Sequence, residues 1–177
     1  MEEAEPIVSS PKIKTYMLED DGKFPNNPTL PLIVYKGVAK IDGKESLIAL
    51  ESRLRNHNWR GIWRNGVFPY HHYHSNAHEL LVVYDGKATI QFGGDQGIKL
   101  EVEKGDAILL PAGTAHKKLG SNKAFMVLGA YPNGGSYDIN YGKSSERPRA
   151  DEKIKNVPLP GWDPFYGSEG PMHEHWK

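Results

Sequence analysis

The sequence contains no cysteine among its 177 residues. This absence excludes disulfide frameworks, thiolate metal ligands and cysteine nucleophiles. Any metal site in this protein must therefore use nitrogen and oxygen ligands.

An excess of charge of either sign is also missing. The 22 basic and 22 acidic residues cancel, and no stretch concentrates Lys and Arg. Binding to nucleic acid requires such a concentration, so we expect no nucleic-acid partner. A transcription factor is a poor interpretation for a second reason, because the sequence shows one convincing helix and no helix-turn-helix pair.

Long apolar runs are absent as well. The longest are fragments such as residues 80–84, far shorter than the roughly 20 residues that span a bilayer. Residues 1–6 are acidic and lack the positive and apolar segments of a secretory signal. We therefore expect a cytoplasmic protein with no membrane partner.

The length fits one domain. We predict a flexible N-terminal arm over residues 1–14, a β-rich body over residues 15–132 and a C-terminal arm packed on the surface over residues 133–177. Short segments separated by glycine turns, such as Asp85-Gly86, indicate an antiparallel sandwich or barrel.

Helical periodicity is rare in this chain. Apolar residues spaced by three to four positions predict one short helix over residues 45–56. A further helical turn is predicted near residues 151–155, within the C-terminal arm. Residues 173–175 (His-Glu-His) carry ligand-type side chains at a period of two, but we interpret them as part of a solvated tail.

The histidines are the most informative residues for function. His72 and His74 are two positions apart, so both side chains lie on one face of an extended segment. Glu79 follows closely enough to return beside them on the next strand, and His116 stands just past the turn at residues 111–113. Three neutral imidazoles and one carboxylate suit one divalent transition metal, whether Fe, Mn, Ni, Zn or Cu.

Such a site would be open to a ligand. Four protein ligands on an octahedral ion leave two positions for water, substrate or dioxygen. A purely structural zinc site is more often closed and tetrahedral. The predicted partner is therefore a small molecule.

The spacing of these residues resembles the two motifs of the cupins in their germin-like arrangement. The first motif reads Gly66, five residues, His72, Tyr73, His74, four residues, Glu79, six residues, Gly86. The second reads Gly105, five residues, Pro111-Ala112-Gly113, two residues, His116. The family usually has asparagine where Gly120 stands, but that asparagine is not a metal ligand, so the resemblance implies an intact site.

The resemblance implies an all-β fold: a single RmlC-like cupin jelly-roll barrel with N-terminal arm strands and core motifs within residues 66–131. It also implies one divalent metal ion, held by the four residues named above. Small single-domain relatives commonly pair as homodimers through their N-terminal strands. No single reaction is implied, because cupins include dioxygenases, decarboxylases, isomerases, epimerases and proteins without catalysis.

We expect a metal-dependent enzyme that acts on a small oxygen-rich molecule, with dioxygenase-like oxidation favoured. A non-catalytic protein that binds a metal or a small molecule is the first alternative. A sugar isomerase or epimerase is the second, and there the acid-base residues would matter more than the metal.

Several neighbours of the ligands need their own interpretation. Strand parity turns His71 and His78 to the opposite face, so we interpret them as packing or surface residues, with hydrogen bonding to the ligands as the functional alternative. If the parity were swapped, His78 would replace Glu79 in the site. Tyr70 and Tyr73 flank the ligands and are candidate pocket residues.

The remaining large aromatic side chains, Tyr131 among them, are interpreted as core residues rather than as a platform for substrate.

Overall fold

The computed structural model describes residues 7–177. Their strands are β1 (Lys12–Tyr16), β2 (Leu32–Lys36), β3 (Trp59–Asn65), β4 (Glu79–Asp85), β5 (Lys87–Phe92), β6 (Ile98–Glu103), β7 (Ala107–Leu110), β8 (His116–Ser121) and β9 (Met126–Pro132). The helices are α1 (Lys44–Asn56), α2 (Arg149–Asn156) and α3 (Pro171–His175), with a short 3-10 helix at Ser144–Glu146.

The strands form two antiparallel sheets. The larger has six strands in the order β1-β2-β7-β4-β9-β3, and the smaller has three in the order β6-β5-β8. This architecture confirms the predicted all-β jelly-roll class.

The larger sheet is buried on both faces. On its inner face, side chains such as Leu81 and Val83 pack with Ile90 and Phe92 of the smaller sheet. On its outer face, side chains such as Leu80 pack into a second cluster with helix α1 and the C-terminal residues. Two buried faces explain why β4 reads as a continuous apolar run instead of an alternating one.

Helix α1 confirms the helix predicted for residues 45–56. Its buried face carries Leu47, Leu50 and Leu54, which contact the outer face of the larger sheet. This spacing of three and four residues is the helical period that the sequence showed. Within residues 7–177, no helix combines the length and the apolar character that crossing a membrane requires.

The C-terminal arm covers the outer face of the larger sheet. Phe165, Met172 and Trp176 are buried in the outer cluster, and the Trp176 indole donates a hydrogen bond to the Pro31 carbonyl at 2.8 Å. Helix α2 confirms the helical turn predicted near residues 151–155. The interpretation of residues 173–175 as a solvated tail was wrong in one respect, since they belong to α3, which Met172 and Trp176 anchor.

The N-terminal segment is paired where the structure describes it. Strand β1 begins at Lys12, within the predicted flexible arm, and the Ser9 amide donates to the Val38 carbonyl at 2.8 Å. For residues 1–6, which lie outside the described residues, the flexible arm stays a prediction.

Asp163 fastens the C-terminal arm to the body. Its buried carboxylate accepts a hydrogen bond from the Tyr35 hydroxyl at 2.8 Å and from the backbone amides of Phe165, Tyr166 and Met172. Removing such an acceptor leaves several donors unpaired, each at a cost of about 1–3 kcal/mol.

We predict that Asp163→Ala lowers the free energy of unfolding by about 3 kcal/mol or more, measured by denaturant titration. Glu169→Ala, which removes an exposed carboxylate from the same arm, is the control and should leave stability nearly unchanged. Equal effects of the two substitutions would show that Asp163 does not fasten the arm.

Candidate metal centre

The four predicted ligands come from three segments of the chain and line one cavity. His116 opens β8 and Glu79 opens β4. The backbones of His72 and His116 exchange two hydrogen bonds, of 3.2 and 3.0 Å, which fixes these two residues side by side. The His74 carbonyl accepts from the Gly113 amide at 2.8 Å, so the turn after β7 holds the third imidazole in place.

The ligating atoms converge. Those of the three imidazoles lie within 4.8 Å of one another. The two carboxylate oxygens of Glu79 lie 3.2 Å from His74 Nε2 and 3.2 Å from His116 Nε2, respectively. All four side chains are buried.

Backbone carbonyls orient the three imidazoles. In each ring Nδ1 faces a carbonyl oxygen: His72 faces Tyr70 at 3.1 Å, His116 faces Thr114 at 3.0 Å, and His74 faces Asp138. A carbonyl only accepts, so Nδ1 carries the proton and, in the neutral ring, Nε2 keeps its lone pair. In their neutral forms the three rings thus present Nε2 to the cavity, with those of His74 and His116 3.2 Å from Glu79. Metal-ligating histidines are oriented in the same way, through Nδ1–H on a carbonyl.

The electrostatics of the site centre on the buried carboxylate of Glu79. Burial by itself would raise the pKa of Glu79, but His74 and His116 hold that pKa well below its usual value. Burial, reinforced by His116, lowers the pKa of His72 to about 3, so this imidazole is neutral. Among the described residues, Glu79 Oε1 accepts no hydrogen bond. An ionised, buried carboxylate with an unused oxygen fits a metal ion.

Tyr131 is a site residue that the sequence analysis assigned to the core. Its hydroxyl donates to Glu79 Oε2 at 2.7 Å and accepts from the Trp63 indole at 2.9 Å. Burial and the Glu79 carboxylate raise the pKa of Tyr131, so the phenol stays protonated and donates. Leu80 pairs with Ala130, which puts Tyr131 opposite Glu79, but strand pairing is not visible in the sequence.

Gly129 makes room for the indole that holds Tyr131. A Cβ atom at this position would overlap the Trp63 ring. Glycine is thus required by close approach of a side chain, since its backbone does not adopt a positive φ.

The cavity in front of the four residues has a volume of about 330 Å³. Trp63, Phe68 and Leu81 form part of its wall, and Tyr137 and Ile139 of the segment after β9 form another part. A small molecule that enters this cavity reaches the candidate ligands directly.

Tyr73 and His78 lie away from the cavity, which corrects the pocket assignment of Tyr73 and agrees with the packing interpretation of His78. Tyr73 is fully buried in a separate cluster, and its hydroxyl donates to Glu146 at 3.0 Å. His78 accepts the Ala112 amide hydrogen at 2.8 Å and faces the Pro158 carbonyl at 3.2 Å. Burial lowers the pKa of His78 to about 4, so it is a neutral structural residue on the face opposite Glu79.

Of the other two neighbours, Tyr70 lies beside the site and His71 points away from it. Tyr70 is exposed, stacks on Phe68 and contacts the edge of the His72 ring, while its carbonyl orients that ring. His71 points elsewhere: its Nε2 lies 2.9 Å from Asp95 and its ring packs on Phe24, as the packing interpretation predicted.

Comparison with known proteins defines the class. The model of the Cupin domain family matches residues 61–123. The chain is 45% identical over 163 residues to the uncharacterized protein YjlB of Bacillus subtilis, an alignment that covers 92% of this chain and 96% of YjlB. The chain therefore belongs to the cupins, and more narrowly it is a relative of YjlB.

Solved structures resemble the chain only loosely. A dTDP-6-deoxy-D-glucose-3,5-epimerase, RmlC of Legionella pneumophila, shares 13% identity at a TM-score of 0.40, over 71% of this chain and 74% of the epimerase. Acireductone dioxygenase from Bacillus anthracis shares 15% identity at a TM-score of 0.37, over 48% and 58% of the two chains. Likeness at this level carries no inference about the reaction.

We predict that Gly129→Ala lowers the free energy of unfolding by roughly 1–3 kcal/mol, because the added methyl group displaces the Trp63 indole. Denaturant titration followed by tryptophan fluorescence measures both the loss and the displacement. Gly120→Ala is the matched control, since a Cβ atom there meets open space. Unchanged stability and fluorescence of Gly129→Ala would contradict the close approach.

Proposed function

We propose that this cupin is a metal-dependent enzyme acting on a small molecule that carries oxygen donors, with dioxygenase-like oxidation as the favoured reaction. His72, His74, Glu79 and His116 would hold one divalent ion of Fe, Mn, Ni, Zn or Cu. When bound, the ion would supply a Lewis-acid or redox centre next to the cavity.

One observation carries the proposal. Three imidazoles, each with Nδ1 on a backbone carbonyl oxygen, converge within 4.8 Å of one another beside the buried carboxylate of Glu79. Without a metal ion, the Glu79 charge is balanced by a proton on a buried imidazole: burial lowers the pKa of His74, but Glu79, 3.2 Å away, outweighs burial and raises it. A divalent ion would balance the carboxylate while the imidazoles stay neutral.

The chain's own residues would prepare the site. Tyr131 holds one oxygen of Glu79 and leaves the other available. The backbone carbonyls keep the imidazoles turned toward the centre, so little reorganisation is needed on binding. The apolar cavity wall excludes water from the bound molecule.

The two alternatives differ in what the ion would do. A non-catalytic cupin would bind the ion and the small molecule but show no turnover or dioxygen uptake. A sugar isomerase or epimerase needs an acid-base group free to move a proton, and Tyr131 already donates its proton to Glu79. We therefore rank the oxidative enzyme first.

The homodimer and the cytoplasmic location of the protein stay predictions. A homodimer formed through the N-terminal strands would use β1, which is an outer strand of the six-stranded sheet. The cytoplasmic location rests on the sequence argument given above.

Substitutions of two neighbouring residues, Glu79 and His78, test the metal site, because their side chains point in opposite directions. We predict that the protein, purified without an affinity-tag metal, contains about one divalent ion per chain by elemental analysis. Glu79→Gln should weaken metal affinity by on the order of a hundredfold, because an anionic ligand is lost.

His78→Gln is the control for that experiment, since His78 lies on the other face of the strand and makes only structural hydrogen bonds. It should keep the metal content even if it lowers the melting temperature. A wild-type protein that takes up none of the five metals would end the proposal.

The Tyr131 hydroxyl provides a finer test. We predict that Tyr131→Phe weakens metal affinity roughly 10–100-fold, measured by competition with a chelator, because Glu79 loses the donor that orients it. Tyr137→Phe is the matched control: its ring stacks on Tyr131 at 4.5 Å between centroids, but it makes no hydrogen bond to Glu79. Equal losses in both variants would assign the effect to packing.

A further inference from the structure

Away from the four candidate ligands, the cavity offers few polar groups to a bound molecule. Arg64 lines it, but its guanidinium is paired with Glu51 at 2.8 and 2.6 Å. Asn65 also lines it, and its side-chain oxygen accepts the Gly66 amide hydrogen at 2.8 Å. The four candidate ligands are therefore the main buried polar groups of the cavity wall, and the Tyr137 hydroxyl and the Asn65 side-chain nitrogen also line it as donors.

The rim of the cavity is apolar and exposed. Half of the exposed large hydrophobic residues of the described chain belong to this rim, each between 38% and 44% exposed: Phe68, Tyr70, Tyr137, Ile139 and Tyr141. Phe68, Tyr137 and Ile139 line the cavity itself. Tyr70 stacks on Phe68 at 5.0 Å, and Tyr141 lies 5.9 Å from Tyr70. An exposed apolar patch of this kind marks a binding surface.

We propose that the substrate has a flat apolar body and carries its oxygen donors at one end only. This inference rests on the proposed function, because the oxygen end is assigned to the metal site. The body lies against Phe68, Tyr137 and Ile139, and aromatic side chains favour a ring there. The substrate class is thus an aryl compound with a chelating end, such as an aryl 2-oxo acid.

The same walls disfavour a sugar. A polyhydroxylated body would place hydroxyl groups against Phe68, Leu81 and Ile139, whose side chains form no hydrogen bonds. Each hydroxyl that loses water without a new partner weakens binding. The volume of about 330 Å³ also lies near the lower end of the roughly 300–1,000 Å³ range of ligand pockets. A single ring with a short chain fits this size better than a sugar nucleotide.

Three 2-oxo acids with the same chelating group test the inference. Pyruvate has almost no body, phenylpyruvate has an aromatic body, and 2-oxogluconate has a hydroxylated one. Calorimetric titration into the metal-loaded protein measures the three dissociation constants. We expect phenylpyruvate to bind at least about tenfold more tightly than either of the others, as burial of one ring predicts.

Substitution of a rim residue tests whether the preference for phenylpyruvate over pyruvate comes from the rim. Phe68→Ser should remove most of the advantage of phenylpyruvate over pyruvate while metal content stays at about one ion per chain. Leu159→Ser is the matched control, because Leu159 is 50% exposed and does not line the cavity. It should leave all three constants unchanged.

The outcomes separate the two proposals. A chain that binds no metal overturns both. A metal-loaded chain that binds 2-oxogluconate as tightly as phenylpyruvate, or binds none of the three acids, overturns this inference and leaves the metal site standing. A rim covered by a second copy of the chain also overturns it, and would appear in light scattering as a dimer that Phe68→Ser dissociates.

Discussion

The carboxylate of Glu79 is the group on which the rest of the site depends. It is buried and ionised, and two imidazoles lie 3.2 Å from its oxygens. A buried charge is stable only where the fold supplies compensating partners in fixed positions. The carbonyls behind the three imidazoles and the hydroxyl of Tyr131 supply that order. The need to compensate this one buried charge thus explains why the fold brings the three imidazoles and the Tyr131 hydroxyl to Glu79 from separate strands and loops.

The double burial of the larger sheet makes this order possible. Strand β4 is clamped between β7 and β9, and its two faces pack into different clusters. A shift of one residue in register would bring His78 inward and turn Glu79 toward the outer cluster. The many apolar contacts on both faces oppose such a shift. Core packing, rather than the site itself, therefore decides which residue faces the candidate metal position.

The sequence predicted the parts of the site that depend on local spacing. The two-residue period of His72 and His74 and the parity that separates His78 from Glu79 both follow from extended backbone. Tyr131 was assigned to the core because its contact with Glu79 depends on the pairing of β4 with β9, across 52 residues of sequence. Tyr73 was misplaced because its partner Glu146 lies 73 residues away in sequence and its cluster joins residues as distant as Phe24 and Ile154, contacts that local spacing does not reveal.

The segment after β9 contacts both a candidate ligand and the cavity wall. The Asp138 carbonyl orients His74, and the Asp138 side chain is held by the amide of Ser75 at 2.7 Å and by its hydroxyl. The residues on either side, Tyr137 and Ile139, form cavity wall. A change in this segment that reshapes the wall therefore also moves the acceptor behind one imidazole. The proposed metal affinity and substrate preference would therefore be coupled through residues 137–139, which contact both a candidate ligand and the cavity wall.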